Sequence, residues 1–194
     1  PDRIIHLTTT IKKWVELART PRKDRRIAIL MYQSRPDSGR IGGAAGLDTI
    51  QSVRDMLERY RDLGYTVDHV PATSRELMDE ILDNITNDLE WSSEERVREK
   101  AADMVSMDEY LPEYGRLSEF NRKAMEESWG KAPGEVSVQD GRFVIPGIVN
   151  GKIYIGFQPL RSWADQMEAV YHDPVVPMPH QYLAFYRWLR NDFG

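Results

Sequence analysis

The sequence contains no cysteine. Disulfides, thiolate metal centres and a cysteine nucleophile are excluded, and a reducing compartment, the cytoplasm, is the expected location. Long apolar runs are also missing. None approaches the roughly 18–20 residues that a membrane-crossing helix needs, so no membrane span is expected. Positive charge is sparse and scattered: 26 Lys and Arg stand against 31 Asp and Glu, for a net charge of −5. Without a basic block, a nucleic-acid partner is disfavoured. Nucleotide fingerprints are absent, with neither G-x-G-x-x-G spacing nor G-K-[ST], so ATP and NAD have no recognisable site. There is no HExxH, no GxSxG and no carboxylate pair at a defined spacing. Internal repeats and low-complexity segments are lacking too. The opening PDRIIHLTTTIKKW has no signal-peptide layout and no Met, and reads as the start of an excised piece.

What is present suits one large domain or two small ones: 194 residues, 41% of them hydrophobic. Residues 4–18 read as a short helix with Ile11, Trp14, Val15 and Leu17 apolar. Residues 25–32, RRIAILMY, form a near-continuous apolar run of strand length, the pattern of a buried parallel strand. A glycine-rich loop follows, then a helix over 47–63 with Ile50, Val53, Leu57 and Tyr60 on one face and Gly64 closing it. A second strand is expected over 65–70, which completes a βαβ unit. Residues 74–130 read as charged helices, with Ser-x-x-Glu capping boxes at 92–95 and 106–109. Their acidic residues follow helical periodicity and mark a solvated face. GRFVIPGIVNGKIYIGFQ reads as two strands joined by a type I′ turn at Asn150-Gly151. The expected fold class is α/β: a mostly parallel sheet flanked by helices, with a helical insertion and a β-hairpin. Residues 1–73 and 131–194 would form the α/β core and 74–130 the insertion.

Chemistry-bearing residues concentrate in 151–193. A strand over 152–158 ends at Gln158-Pro159, since proline has no N–H for the ladder. Ligands collect at the carboxyl ends of strands in open α/β sheets, which makes Gln158 and Arg161 candidate binding residues. The stiff, proline-studded loop 159–179 carries Trp163 and Tyr171 as flat surfaces. It also carries His172 beside Asp173, where an imidazole can ligate a metal or pair with a carboxylate, or simply bond its own backbone. The final helix, from about residue 179 to 193, is expected to pack through Tyr182, Phe185, Tyr186, Leu189 and Phe193. His180 and Arg187 would then point away from that face, toward an anionic ligand. His180 reads equally as a helix cap. Gly42 and Gly43 lie in the glycine loop 39–46, which is either a tight turn or an anion cradle at a helix N-terminus. His6 and His69 have no such context and read as structural.

The wording GKIYIGFQPLR, then YHDP, then PHQYLAFYRWL resembles the CobN-type large subunit of cobaltochelatase, within the family that includes the magnesium chelatase large subunit. The resemblance covers about 9–70 and 125–194. It implies that the chain is a fragment of a much longer subunit, inactive alone, that binds a tetrapyrrole. Cobalt would be inserted into a corrinoid precursor during cobalamin biosynthesis, or magnesium into a porphyrin. The divalent metal is then substrate rather than resident cofactor. ATP would be used by ATPase partner subunits. His172 and His180 would take catalytic roles, and Gln158, Arg161, Asp173, Arg187, Gly42 and Gly43 would hold the macrocycle. The alternative is a non-catalytic α/β module that binds a tetrapyrrole or a partner.

Overall fold

The computed structural model describes residues 2–32, 42–43, 46–89, 92–161 and 176–194. The first helix, α1 (Asp2–Arg19), ends at a 3₁₀ turn, Arg22–Asp24, that delivers the chain into β1 (Ile27–Met31). Helix α2 (Thr49–Asp62) starts on Asp48, whose carboxylate accepts the Gln51 N–H, and it buries Ile50, Val53 and Leu57 at helical spacing. Helix α3 (Ser74–Asp83), capped by Thr73, buries Leu77 and Ile81 against α2. Then come α4 (Glu94–Lys100), β2 (Asp103–Val105), α5 (Met107–Tyr114) and α6 (Glu119–Trp129). The capping box at Ser106 and Glu109 forms in full, whereas Ser93 caps α4 by accepting from Arg96. Strands β3 (Val138–Gln139), β4 (Arg142–Ile145), β5 (Ile148–Asn150) and β6 (Ile153–Phe157) follow. The chain finishes with α7 (His180–Trp188), which continues as a π-helical turn over Leu189–Phe193.

Two three-stranded sheets are formed, in the orders β1-β6-β5 and β2-β4-β3. Only the β1–β6 pair is parallel, with Ile27 opposite Ile153 and Met31 opposite Phe157; the other described pairings are antiparallel. The expectation of a mostly parallel sheet is therefore corrected to a mixed α/β fold with two small sheets. One cause is residues 65–70, which form no strand. Their polar backbone groups are satisfied elsewhere: the Lys152 N–H donates to the Thr66 carbonyl, and the Asn150 side chain accepts from the Asp68 and His69 N–H groups. The segment crosses beneath the β5–β6 turn instead of joining the ladder. Residues 74–130 are also not purely helical, because β2 pairs with β4. The hairpin forms one residue later than expected. Gly151 and Lys152 are its turn, and only Gly151 has positive φ, as in a type II′ rather than a type I′ turn.

Strand β6 is buried along its whole length, which explains its unbroken apolar sequence. Ile153, Ile155 and Phe157 enter a core with α2 and α3. Tyr154 points the other way, into a second core with Phe143, Ile145, Phe185 and Trp188. One strand thus serves two cores, one on each face of its sheet. Helix α1 takes part in neither: Ile4, Ile5, Leu7, Ile11, Trp14, Val15 and Leu17 are all exposed.

Candidate ligand site at the strand ends

The parallel pairing sets β1 and β6 side by side with their carboxyl ends level, Met31 opposite Phe157. The Gln158 N–H continues the ladder by donating to the Met31 carbonyl at 3.0 Å. Its side-chain amide donates to the Tyr182 hydroxyl at 2.7 Å, and its carbonyl accepts from Asn87 Nδ2 at 3.0 Å. Gln158 is thus held from three sides, as a positioned polar group must be. Tyr182 and Tyr186 pack one turn apart on α7, with ring centroids 5.1 Å apart. Partial burial of its ring, assisted by a hydrogen bond that its hydroxyl donates to Tyr182, pushes Tyr186 up to about 12, so it stays protonated. Arg161 follows two residues beyond Pro159 and is exposed. Next to it, Gln181 is buried and donates from Nε2 to the Leu160 carbonyl at 2.8 Å, while its Oε1 has no donor among the described residues. A buried acceptor without a partner is uncommon and costly, and it marks a place where a donor belongs.

Of the glycine loop, Gly42, Gly43 and Gly46 are described, and Gly42 lies against Thr49 at the start of α2. Gly42 is buried, has φ +68°, and accepts a hydrogen bond from the Thr49 hydroxyl; Gly43 is exposed. A side chain at Gly42 would also press on Thr49, with a Cβ only 3.0 Å from it.

The other expected residues are placed differently. His180 does not face an open cleft; it is 1% exposed. Its Nδ1 meets the Tyr110 hydroxyl at 2.8 Å and its Nε2 meets the Gly130 carbonyl at 3.0 Å. Tyr110 and Tyr114 pack on the ring. Burial holds the imidazole below its ordinary pKa, against the opposing pull of the Gly130 carbonyl and Glu126. The helical-wheel expectation fails because α7 is enclosed on two sides. Its buried stripe is His180, Gln181, Ala184, Phe185 and Trp188, and Tyr186 is exposed. Beside His180 lies a surface depression of about 440 Å³, lined by Ser128, Trp129, Gly130, Lys131, Pro133, Gly134 and Glu135. Arg187 pairs with Asp192 and lies 3.9 Å from Glu109. It sits toward the far end of α7, where the Phe193 carbonyl accepts from Arg26 at the start of β1. The structure therefore keeps Gln158 and Arg161 at one end of the sheet, sends Arg187 toward the other, and sets Gly42 against the start of α2. His172, Asp173, Trp163 and Tyr171 lie outside the described residues.

Sequence reasoning missed Asn87, Gln181 and the polar role of Tyr182. Asn87 and Gln181 are polar residues buried at strand ends, but their partners are distant in sequence. Tyr182 was assigned to the packing face, and its hydroxyl gave no separate signal.

The class defined by these elements is a mixed α/β fold in which one parallel strand pair ends at an amide–tyrosine cluster. The family model described as CobN/Magnesium Chelatase matches residues 1–194, and the chain belongs to that family. It is 36% identical over 192 residues to the aerobic cobaltochelatase subunit CobN of Pseudomonas aeruginosa, covering 99% of this chain and 15% of that protein. It is 30% identical over 195 residues to a magnesium-chelatase subunit from Chlorobaculum parvum, covering 99% of this chain and 14% of that one. Among solved structures, the catalytic subunit of cobaltochelatase from Mycobacterium tuberculosis superposes with a TM-score of 0.70 at 29% identity, over 91% of this chain and 15% of that chain. The chain thus spans about one seventh of the length of these relatives.

Proposed function

We propose that this chain is the tetrapyrrole-holding part of a metal chelatase large subunit. The overall reaction is ATP-dependent insertion of a divalent metal, cobalt into a corrinoid precursor or magnesium into a porphyrin, with ATP hydrolysed by ATPase partner subunits in the cytoplasm. The observation that carries this reading is the strand-end cluster: Gln158 fixed by Tyr182 and Asn87, the unmatched acceptor of Gln181 beside it, and exposed Arg161 two residues on. A macrocycle with amide or carboxylate groups on its rim needs such donors and acceptors, spread over more than a metal ion's width. Gly42 and Gly43 give the rim a backbone approach with no side chain in the way. His172, next to Asp173, is assigned the relay that takes protons from the ring nitrogens or hands over the metal. His180 takes its catalytic part from beneath the Gly130 depression, and Arg187 binds substrate from the far end of α7. Residues 1–73 and 131–194 act as the core of the site, with 74–130 as its largely helical cover.

The test is tetrapyrrole titration by fluorescence quenching, on the 194-residue chain and on the full-length subunit. Arg161→Ala is expected to weaken binding by about tenfold, the scale of one hydrogen bond to a charged group. His172→Ala is expected to slow metal insertion more than it weakens binding. Equal affinities for wild type, Arg161→Ala and Gln158→Ala would remove the strand ends as the ligand site. One observation favours a second reading, a binding module without catalysis: His180, the expected catalytic histidine, is buried with both ring nitrogens engaged. A full-length protein that binds tetrapyrrole but inserts no metal would establish it.

A further inference from the structure

At the opposite, amino end of the parallel strands, three potential metal ligands converge. His69, Glu76 and Glu80 each present one ligand atom, and the three atoms lie within 4.8 Å of one another. His69 Nε2 is 2.9 Å from Glu80 Oε1. Glu76 and Glu80 are one helical turn apart on α3, so both carboxylates leave the same face. His69 comes to that face from the segment crossing under the hairpin. Its main chain is clamped there by the buried Asn150, whose Oδ1 accepts from the His69 N–H at 3.0 Å and whose Nδ2 donates to the His69 carbonyl. The imidazole therefore hangs from a fixed backbone point.

The charges at this spot are not balanced. Among the described residues, neither Glu76 nor Glu80 forms an ion pair with a lysine or an arginine, although the chain carries 26 of them and most other acidic clusters here are paired. Glu76 uses one oxygen on the Ala72 N–H, which fixes the carboxylate and leaves the other oxygen free. Two carboxylates one turn apart repel each other, and a single imidazole, which carries at most one positive charge, does not offset two negative ones. A divalent cation does.

We infer that His69, Glu76 and Glu80 form a surface site for a divalent 3d cation of the Co²⁺ or Zn²⁺ kind. Bond lengths of about 2.0–2.2 Å to nitrogen and oxygen place cis ligands about 3 Å apart and trans ligands about 4 Å apart, so small side-chain movements suffice. The proton that His69 Nε2 donates to Glu80 passes to water or is replaced by the Nδ1–H tautomer as the metal takes the Nε2 lone pair, and water fills the remaining positions. An imidazole ligand selects against Mg²⁺, which prefers oxygen donors and its own water shell. This site lies at the other end of β6 from Gln158 and does not depend on the tetrapyrrole reading.

The experiment is titration of the 194-residue chain with CoCl₂, near neutral pH, followed by the visible absorption of bound Co²⁺. Saturation at the site is expected. His69→Ala, Glu76→Gln and Glu80→Gln should each weaken binding by about tenfold or more, as removal of groups that build a metal site does. Zn²⁺ should displace the cobalt, and about a hundredfold excess of Mg²⁺ should not. Glu119→Gln, an exposed carboxylate on α6, should bind as wild type does. All three ligand side chains are on the surface, so far-UV circular dichroism of the variants should match wild type. No saturable signal, full affinity in any of the three ligand variants, or loss of the signal in Glu119→Gln would overturn the site.

Discussion

His180 carries a proton-linked part of the stability. It is buried, and its pKa is held below the ordinary 6.5. Such a group binds protons more readily in the unfolded chain. Stability is therefore fully present above pH 6.5 and falls as the pH drops below it, toward the depressed folded value. Thermal melts of wild type and His180→Asn between pH 7.5 and pH 5 should converge as the pH falls, because the variant lacks this loss; parallel curves would show that His180 is not the linked group. Tyr110→Phe removes the hydroxyl facing Nδ1 without opening a cavity. It is expected to cost about 1–3 kcal/mol, the range for a buried group left without its partner, measured by urea denaturation. In the sequence His180 was visible as a histidine at a helix start, and nothing more. A helical wheel ranks the faces of one helix, but what covers them comes from Tyr110, seventy residues earlier, and from the Gly130 carbonyl. Gln181 and Asn87 escaped for the same reason. Their partners, the Leu160 and Gln158 carbonyls, are reached only after the sheet has formed.

Among the elements, those with a strong local pattern were legible. The unbroken apolar runs became β1 and β6, the i, i+3, i+7 stripe became α2, and the Ser106–Glu109 box became the start of α5. Residues 65–70 were not, although their composition suits a strand. Their conformation is decided by the hairpin turn they cross. Asn150 supplies from its side chain the bonds that a neighbouring strand would have made. Asn150→Ala leaves three part-buried backbone groups of Asp68 and His69 without their partner and is expected to lower stability by about 1–3 kcal/mol in urea melts. Gly151 is the other half of this junction. It has φ +63°, and a Cβ there would sit 2.6 Å from the Thr66 carbonyl oxygen. Gly151→Val should therefore destabilise at least as much as Asn150→Ala, since it adds backbone strain to a clash with main-chain atoms that cannot swing away. A variant melting within a degree of wild type would mean that the 65–70 segment is free to move off the turn.

For the molecule as a whole, the two cores and a smaller cluster of Ile85, Val97 and Val144, which holds α4, account for the described α-helices and strands other than α1. Truncation of residues 1–17 should shift the melting temperature by no more than about 4 °C, because exposed side chains contribute little to stability. The same truncation should raise solubility, since it removes a run of apolar side chains from water. A larger drop would show that α1 is bound into the fold. The class of fold was readable at this scale, but the sheet order was not. Pairing across the chain is set by which runs finally meet, and no local signal records it. That pairing also governs how the molecule assembles. Strands β1 and β6 are direct neighbours in the sheet yet well over a hundred residues apart in the chain. A chain leaving the ribosome exposes the apolar β1 long before its partner has been made. Helices α2 and α3 can collapse on each other in the meantime, because their contacts are local, but the sheet between the two cores has to wait for β6. Synthesis order thus makes β6 the last piece of the first core, keeps the second core waiting for α7 as well, and leaves β1 an open edge until β6 arrives, the interval in which a growing chain is most exposed to wrong strand partners.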